Sequence, residues 1–171
     1  MGVFMASLSF RKPEQEIWTH GKERIEKWLS EIDGLTSNLD DTADGIAIVS
    51  PYGEDAYVLA GSAQPISKMI QGYVIMASCV DSDFNLLEVF YNGQSVEKCC
   101  IGELYEEYKE IMDCGAASYE FWKRLLLDES REEELRHALY GKEILAEDNL
   151  RLLSGLIGFP VFNDDLVFHD I

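Results

Sequence analysis

Apolar residues change their spacing several times along the chain, and each change predicts a change of element. Residues 3–10 (VFMASLSF) read as a strand. Beyond Pro13, Ile25, Trp28, Leu29 and Ile32 recur at i, i+3, i+4 and i+7, the single stripe of an amphipathic helix, and Gly34 ends it. Residues 35–44 (LTSNLDDTAD) predict a polar loop. Residues 45–49 (GIAIV) and 56–59 (AYVL) are short apolar runs separated by Ser50-Pro51-Tyr52-Gly53, and they read as a hairpin. Ser62 then serves as the N-cap of a short helix carrying Ile66, Met69 and Ile70, stopped by Gly72.

The clearest pattern lies between Tyr73 and Ile101. Two strands, 73–80 and 85–91, flank an Asp81-Ser82-Asp83 turn, and Asn92-Gly93 supplies the two positive-φ residues of a type I′ turn into a third strand, 94–101. From Glu103 the period becomes helical: Leu104, Tyr108, Ile111 and Met112, then Tyr119, Trp122, Leu125 and Leu126, then Leu135 and Leu139, then Leu150, Leu153, Leu156 and Ile157. Gly115, Gly141 and Gly158 mark helix boundaries. The apolar tail at 159–168 docks on the sheet as an extra strand or else offers a surface for dimerisation. Strands first and helices last give an α+β class. The expectation is one domain over residues 1–171, with a single mainly antiparallel sheet of about five to six strands and a helix-rich C-terminal half.

Composition narrows the function classes. The 171 residues carry 32 Asp and Glu against 14 Lys and Arg, a formal net charge of −18, so no basic excess exists to displace phosphate counterions and nucleic acid is excluded as a partner. No apolar run reaches the roughly 18 residues of a membrane span, and Arg11 and Lys12 follow the apolar start instead of preceding it, the wrong order for a signal peptide. Cys79, Cys99, Cys100 and Cys114 lack CxxC spacing and read as free thiols of a cytoplasmic protein.

Candidate chemistry is thin. Asp81, Asp83 and Asn85 match the first ligands of a calcium loop, but Leu86 and Asn92 stand where Gly and Glu are needed; Asp40, Thr42, Asp44 and Gly45 fail at Pro51. The three histidines and four cysteines show no zinc spacing, and adjacent Cys99 and Cys100 point to opposite faces of a strand. Cys114 could act as a thiol nucleophile, but Glu110 and Asp113 beside it disfavour the thiolate. No serine elbow or phosphate-cradling loop occurs, so no catalytic residue, metal or cofactor is assigned. Aromatic residues Trp18, Trp28, Trp122, Tyr105, Tyr108 and Tyr119 fall on core stripes.

Charge is unevenly distributed. Residues 28–97 hold eleven acidic side chains against Lys68 alone, whereas fourteen acidic and six basic residues are interleaved at 102–150, as in Glu120 with Lys123 and Arg124, or Glu132 with Arg136. Residues 73–93 (YVIMASCVDSDFNLLEVFYNG) and 146–160 (AEDNLRLLSGLIGFP) resemble a strand, turn, strand and late-helix pattern of uncharacterised bacterial proteins. In size, acidity and lack of an active site the chain is similar to small acidic immunity proteins of bacterial toxin systems. That resemblance implies a non-enzymatic, cytoplasmic interaction protein, a monomer or homodimer, that masks a basic protein partner. The candidate contact residues are Asp40, Asp41, Asp44, Glu54, Asp55, Asp81 and Asp83. The competing expectation is a small-molecule binder or hydrolase with a pocket between the sheet and the C-terminal helices.

Overall fold

A computed structural model describes residues 5–35, 37–43, 45–50, 56–81, 83–102, 113–142 and 145–162. All six residues of β1 (Met5–Phe10) are buried, a pattern that requires a strand covered on both faces. Ala6, Leu8 and Phe10 pack into one core, while Met5 joins the other. Helix α1 (Gln15–Ser30) follows, burying Trp18, Gly21, Ile25 and Leu29; Trp28, expected on that stripe, is 38% exposed. Trp18 meets Phe10 edge-on at 5.8 Å between ring centroids.

Two expectations fail in the next stretch. Within the expected loop, Asn38–Asp41 forms an edge strand, β2, paired to β3 (Ile46–Ser50). The expected second hairpin strand and Ser62-capped helix are instead one helix, α2 (Ala56–Ile70), with Pro65 inside it. Leu59, Ala63, Ile66 and Ile70 are all buried, a spacing of four, three and four that fits a helix face and no strand. Ser62 is an interior, buried residue whose hydroxyl accepts from the Trp28 indole N–H at 3.3 Å.

The predicted meander is present as β4 (Tyr73–Val80), β5 (Phe84–Tyr91) and β6 (Gln94–Gly102), with Asn92 at φ 47° and Gly93 at φ 82° in the tight turn. The sheet is larger than expected: seven strands in the order β2-β3-β1-β4-β5-β6-β7. It is also mixed, because β7 (Gly115–Ala116) runs parallel to β6. Gly115 is therefore a strand residue and not a helix boundary.

C-terminal to β7 come α3 (Tyr119–Lys123), a 3-10 turn (Glu129–Arg131), α4 (Glu132–Tyr140) and α5 (Ala146–Ile157). Ser118 caps α3 by accepting from the Phe121 N–H, and α5 ends on Gly158 at φ 64°, a left-handed position that glycine takes without a Cβ penalty. The first helical run expected at 104–112, including Tyr105 and Tyr108, lies outside the described residues.

Helices cover both faces of the sheet. α1 and α2 pack with Leu8, Phe10, Ile46 and Ile48. The C-terminal helices pack on the other face with Ile75, Ala77, Leu87, Val89 and Cys99, around the fully buried Trp122. Phe159, Pro160, Val161 and Phe162 are buried against that second core, docked by side chains and not as a further strand; residues 163–168 of the tail lie outside the described residues. The Ser7 hydroxyl donates to the Val161 carbonyl at 3.1 Å, tying this segment to β1.

Two of the four cysteines are not free. Cys100 and Cys114 form a disulfide with Cα atoms 6.0 Å apart. The strand alternation explains the choice of partner: Cys99 turns into the core beside Trp122, and Cys100 turns away from it.

Candidate functional site

Strand register assigns the expected acidic residues to different ends of the sheet. Asp41 pairs with Ile46, which is level with Phe10 at the end of β1. Asp81 and Asp83 follow Val80 at the opposite end, where Cys79 pairs with Met5. The offset is about 20 Å along the strands plus three strand spacings of about 4.8 Å across them. That exceeds a Debye length of roughly 8 Å at physiological salt, so the two groups do not form one field source. Asp44, Glu54 and Asp55 lie outside the described residues.

Local partners sharpen the contrast. Asp41 is ion-paired with Lys12 at 2.6 Å, so a cation that the local sequence does not supply is brought to it by the fold. Lys12 is distant in sequence and reaches Asp41 because it follows β1, two strands away. Asp81 and Asp83 are both exposed on a turn closed by the Asp83 N–H donating to the Val80 carbonyl at 3.0 Å, with Asp81 at φ 49°. No ion pair engages either of them among the described residues. Asn85, the third member of the calcium-like run, turns inward: it is fully buried and its amide donates to the Ala146 carbonyl at 2.7 Å. This bond seats the N-terminus of α5 at the same end of the sheet as Asp81 and Asp83.

The other end of the sheet is organised by Arg11, which the sequence pattern did not single out. It leaves β1 and reaches across to the C-terminal layer. Its Nε donates to the Ile157 carbonyl at 3.1 Å, and its Nη2 donates to the carbonyls of Ile157 and Leu125, each at 2.6 Å. Those carbonyls are unpaired acceptors at helix and turn ends, and a cation there also complements the helix dipole. The guanidinium lies 4.9 Å from the Phe159 ring centroid. Burial lowers its pKa from the ordinary value, yet an arginine stays charged at any physiological pH. Beside it opens a cleft of about 310 Å³ between the start of α1, the end of α2 and Phe159. This cleft is a different place from the one expected between the sheet and the C-terminal helices, where the described residues of the second core pack.

Groups with chemistry elsewhere are pinned. The Cys99 thiol is pushed up to about 12, chiefly by burial and then by the Glu97 carboxylate, which keeps it protonated and unreactive. Cys114 is held in the disulfide and cannot be the nucleophile considered from sequence. The expected helix-face pairs are rearranged: Glu132 pairs with Lys123 at 2.7 Å and accepts from the Tyr119 hydroxyl, while Arg136 lies over the Tyr119 ring at 3.8 Å. Hydrogen bonding to Lys123 and then to Tyr119 lowers the Glu132 pKa, and the reciprocal bonds raise those of Lys123 and Tyr119. Among the described residues no group of three or more His, Cys, Asp or Glu is placed to hold a metal ion, and no helix is long and apolar enough to cross a membrane. No known protein family, curated protein or solved structure matches the chain.

Proposed function

We propose that the protein is a non-enzymatic acidic interaction protein of the immunity type, binding a basic protein partner through the end of the sheet that carries Asp81 and Asp83. One observation supports this reading above the others: two carboxylates separated by one residue stand exposed on a hydrogen-bonded turn, with no cation engaged among the described residues. Such a turn presents its charge with little conformational freedom to lose, which favours fast, salt-sensitive association with a positive surface. Asp40 and Asp41, at the opposite end, would fall outside the same footprint.

The experiment is a binding titration against basic proteins encoded next to this one, at two ionic strengths, with the pair Asp81→Asn and Asp83→Asn. A cognate partner is expected to bind at least about tenfold more weakly in the double variant, mainly through a slower on-rate, and to lose affinity as salt rises. Asp40→Asn with Asp41→Asn is expected to leave binding unchanged. Tight binding indifferent to salt and to Asp81 and Asp83 would overturn the reading. The hydrolase alternative calls for a pocket carboxylate of raised pKa; among the described residues the shifted carboxylates, Asp128, Glu132 and Glu134, all lie below their ordinary values.

A further inference from the structure

The cleft beside Arg11 supports an inference independent of the acidic end. Arg11 commits Nε and Nη2 to backbone carbonyls, which fixes the guanidinium plane and leaves both Nη1 N–H groups without a partner among the described residues. Around it the cleft is walled by Ile17, Ile70, Tyr73 and Phe159. The Tyr73 ring is itself held in place, 4.7 Å from Tyr91 and edge-on to Phe121 at 6.2 Å. Two cations, Arg11 and Lys12, face one carboxylate, Glu14, in the lining, and Lys12 is already paired to Asp41. A preorganised donor pair with apolar and aromatic walls selects a ligand carrying one negative charge on a short apolar body.

We propose that this cleft binds a small aryl or alkyl carboxylic acid, its carboxylate on the Nη1 edge of Arg11 and its apolar body against Tyr73, Phe159, Ile17 and Ile70. The volume of about 310 Å³ sits at the small end of ligand pockets, which suits a single ring with a short side chain. A phosphate ester is a poorer fit, because only one guanidinium edge is open, Lys12 is already paired to Asp41, and Glu14 in the lining repels a second negative charge.

The test is an amide-resolved NMR titration of the full chain with 3-phenylpropionate, 3-phenylpropionamide and inorganic phosphate. The acid is expected to give saturable shifts at Ile17, Gln71 to Tyr73 and Phe159. The neutral amide, lacking the charge-assisted bond, is expected to bind at least about tenfold more weakly, and phosphate more weakly than the acid. Ile17→Glu, in the first turn of α1 where a carboxylate is tolerated, is expected to weaken the acid at least about tenfold while leaving the remaining spectrum in place. Absence of saturable shifts at these residues up to about 10 mM, shifts centred elsewhere, or equal binding of acid and amide would overturn the proposal. The amide comparison needs no variant, so it decides even if Ile17→Glu does not fold.

Discussion

Ser7 and Ser9 sit two positions apart on β1, face the same layer and are equally buried, yet their hydroxyls differ in kind. Ser7 donates to the Val161 carbonyl; the Ser9 hydroxyl has no hydrogen-bond partner among the described residues. A buried polar group without a partner costs about 1–3 kcal/mol, whereas breaking one bond strands the group left behind. Ser9→Ala is therefore expected to stabilise the fold by about 1 kcal/mol, and Ser7→Ala to destabilise it by a similar amount, both measured by urea unfolding. Trp122→Ala, which empties the centre of the second core, is expected to cost about 3–5 kcal/mol. That Trp122 is core was legible from its spacing with Leu125. The role of Arg11 was not, because the carbonyls it meets lie 114 and 146 residues away in sequence.

At the scale of elements, what was legible depended on whether the local pattern had one solution. The β4–β5–β6 meander had a two-residue period and an Asn-Gly turn, and it formed within a residue or two of expectation. The run Ala56 to Leu59 is too short to separate a strand from a helix by period, and the proline at 65 disguised the helix that continues through it. β2 was missed because an edge strand of Asn, Leu, Asp and Asp has no buried face to reveal it. The disulfide was invisible for another reason: a separation of 14 residues becomes a pair only when β7 lies beside β6. Closing a loop of that size limits the unfolded chain by about 3 kcal/mol. A dithiol is expected to lower the melting temperature by roughly 6–12 °C, and Cys100→Ser with Cys114→Ser to remove the response to reductant. The buried Cys79 and Cys99 should stay unmodified by a thiol reagent in either state, which mass spectrometry reads directly.

Over the whole molecule, charge and topology set the behaviour. A net charge of −18 repels itself at short range, so added salt up to a few tenths molar is expected to raise the melting temperature until the ion pairs are also screened. Stability against pH should fall at both margins. Asp128, Glu132 and Glu134 have pKa values below the ordinary 3.8 and 4.5, so their contribution holds above those values and is lost as pH falls through the lowered ones. Tyr119 and Lys123 are raised above 10.0 and 10.5, so theirs holds below those values and is lost as pH rises through the raised ones. A melting-temperature profile across pH checks both limbs. The excess of acid was plain from composition, but whether the carboxylates gather depends on register, and only pairing Asp41 with Ile46 and Met5 with Cys79 separates them. The central position of β1 has a consequence for synthesis. Its two neighbours in the sheet, β3 and β4, leave the ribosome some 40 and 70 residues after it, so a strand that ends up buried along its whole length waits with both edges open while the chain grows. Until β4 arrives, β1 offers unpaired edges to other chains, an aggregation hazard that slow synthesis of residues 11–80 would prolong.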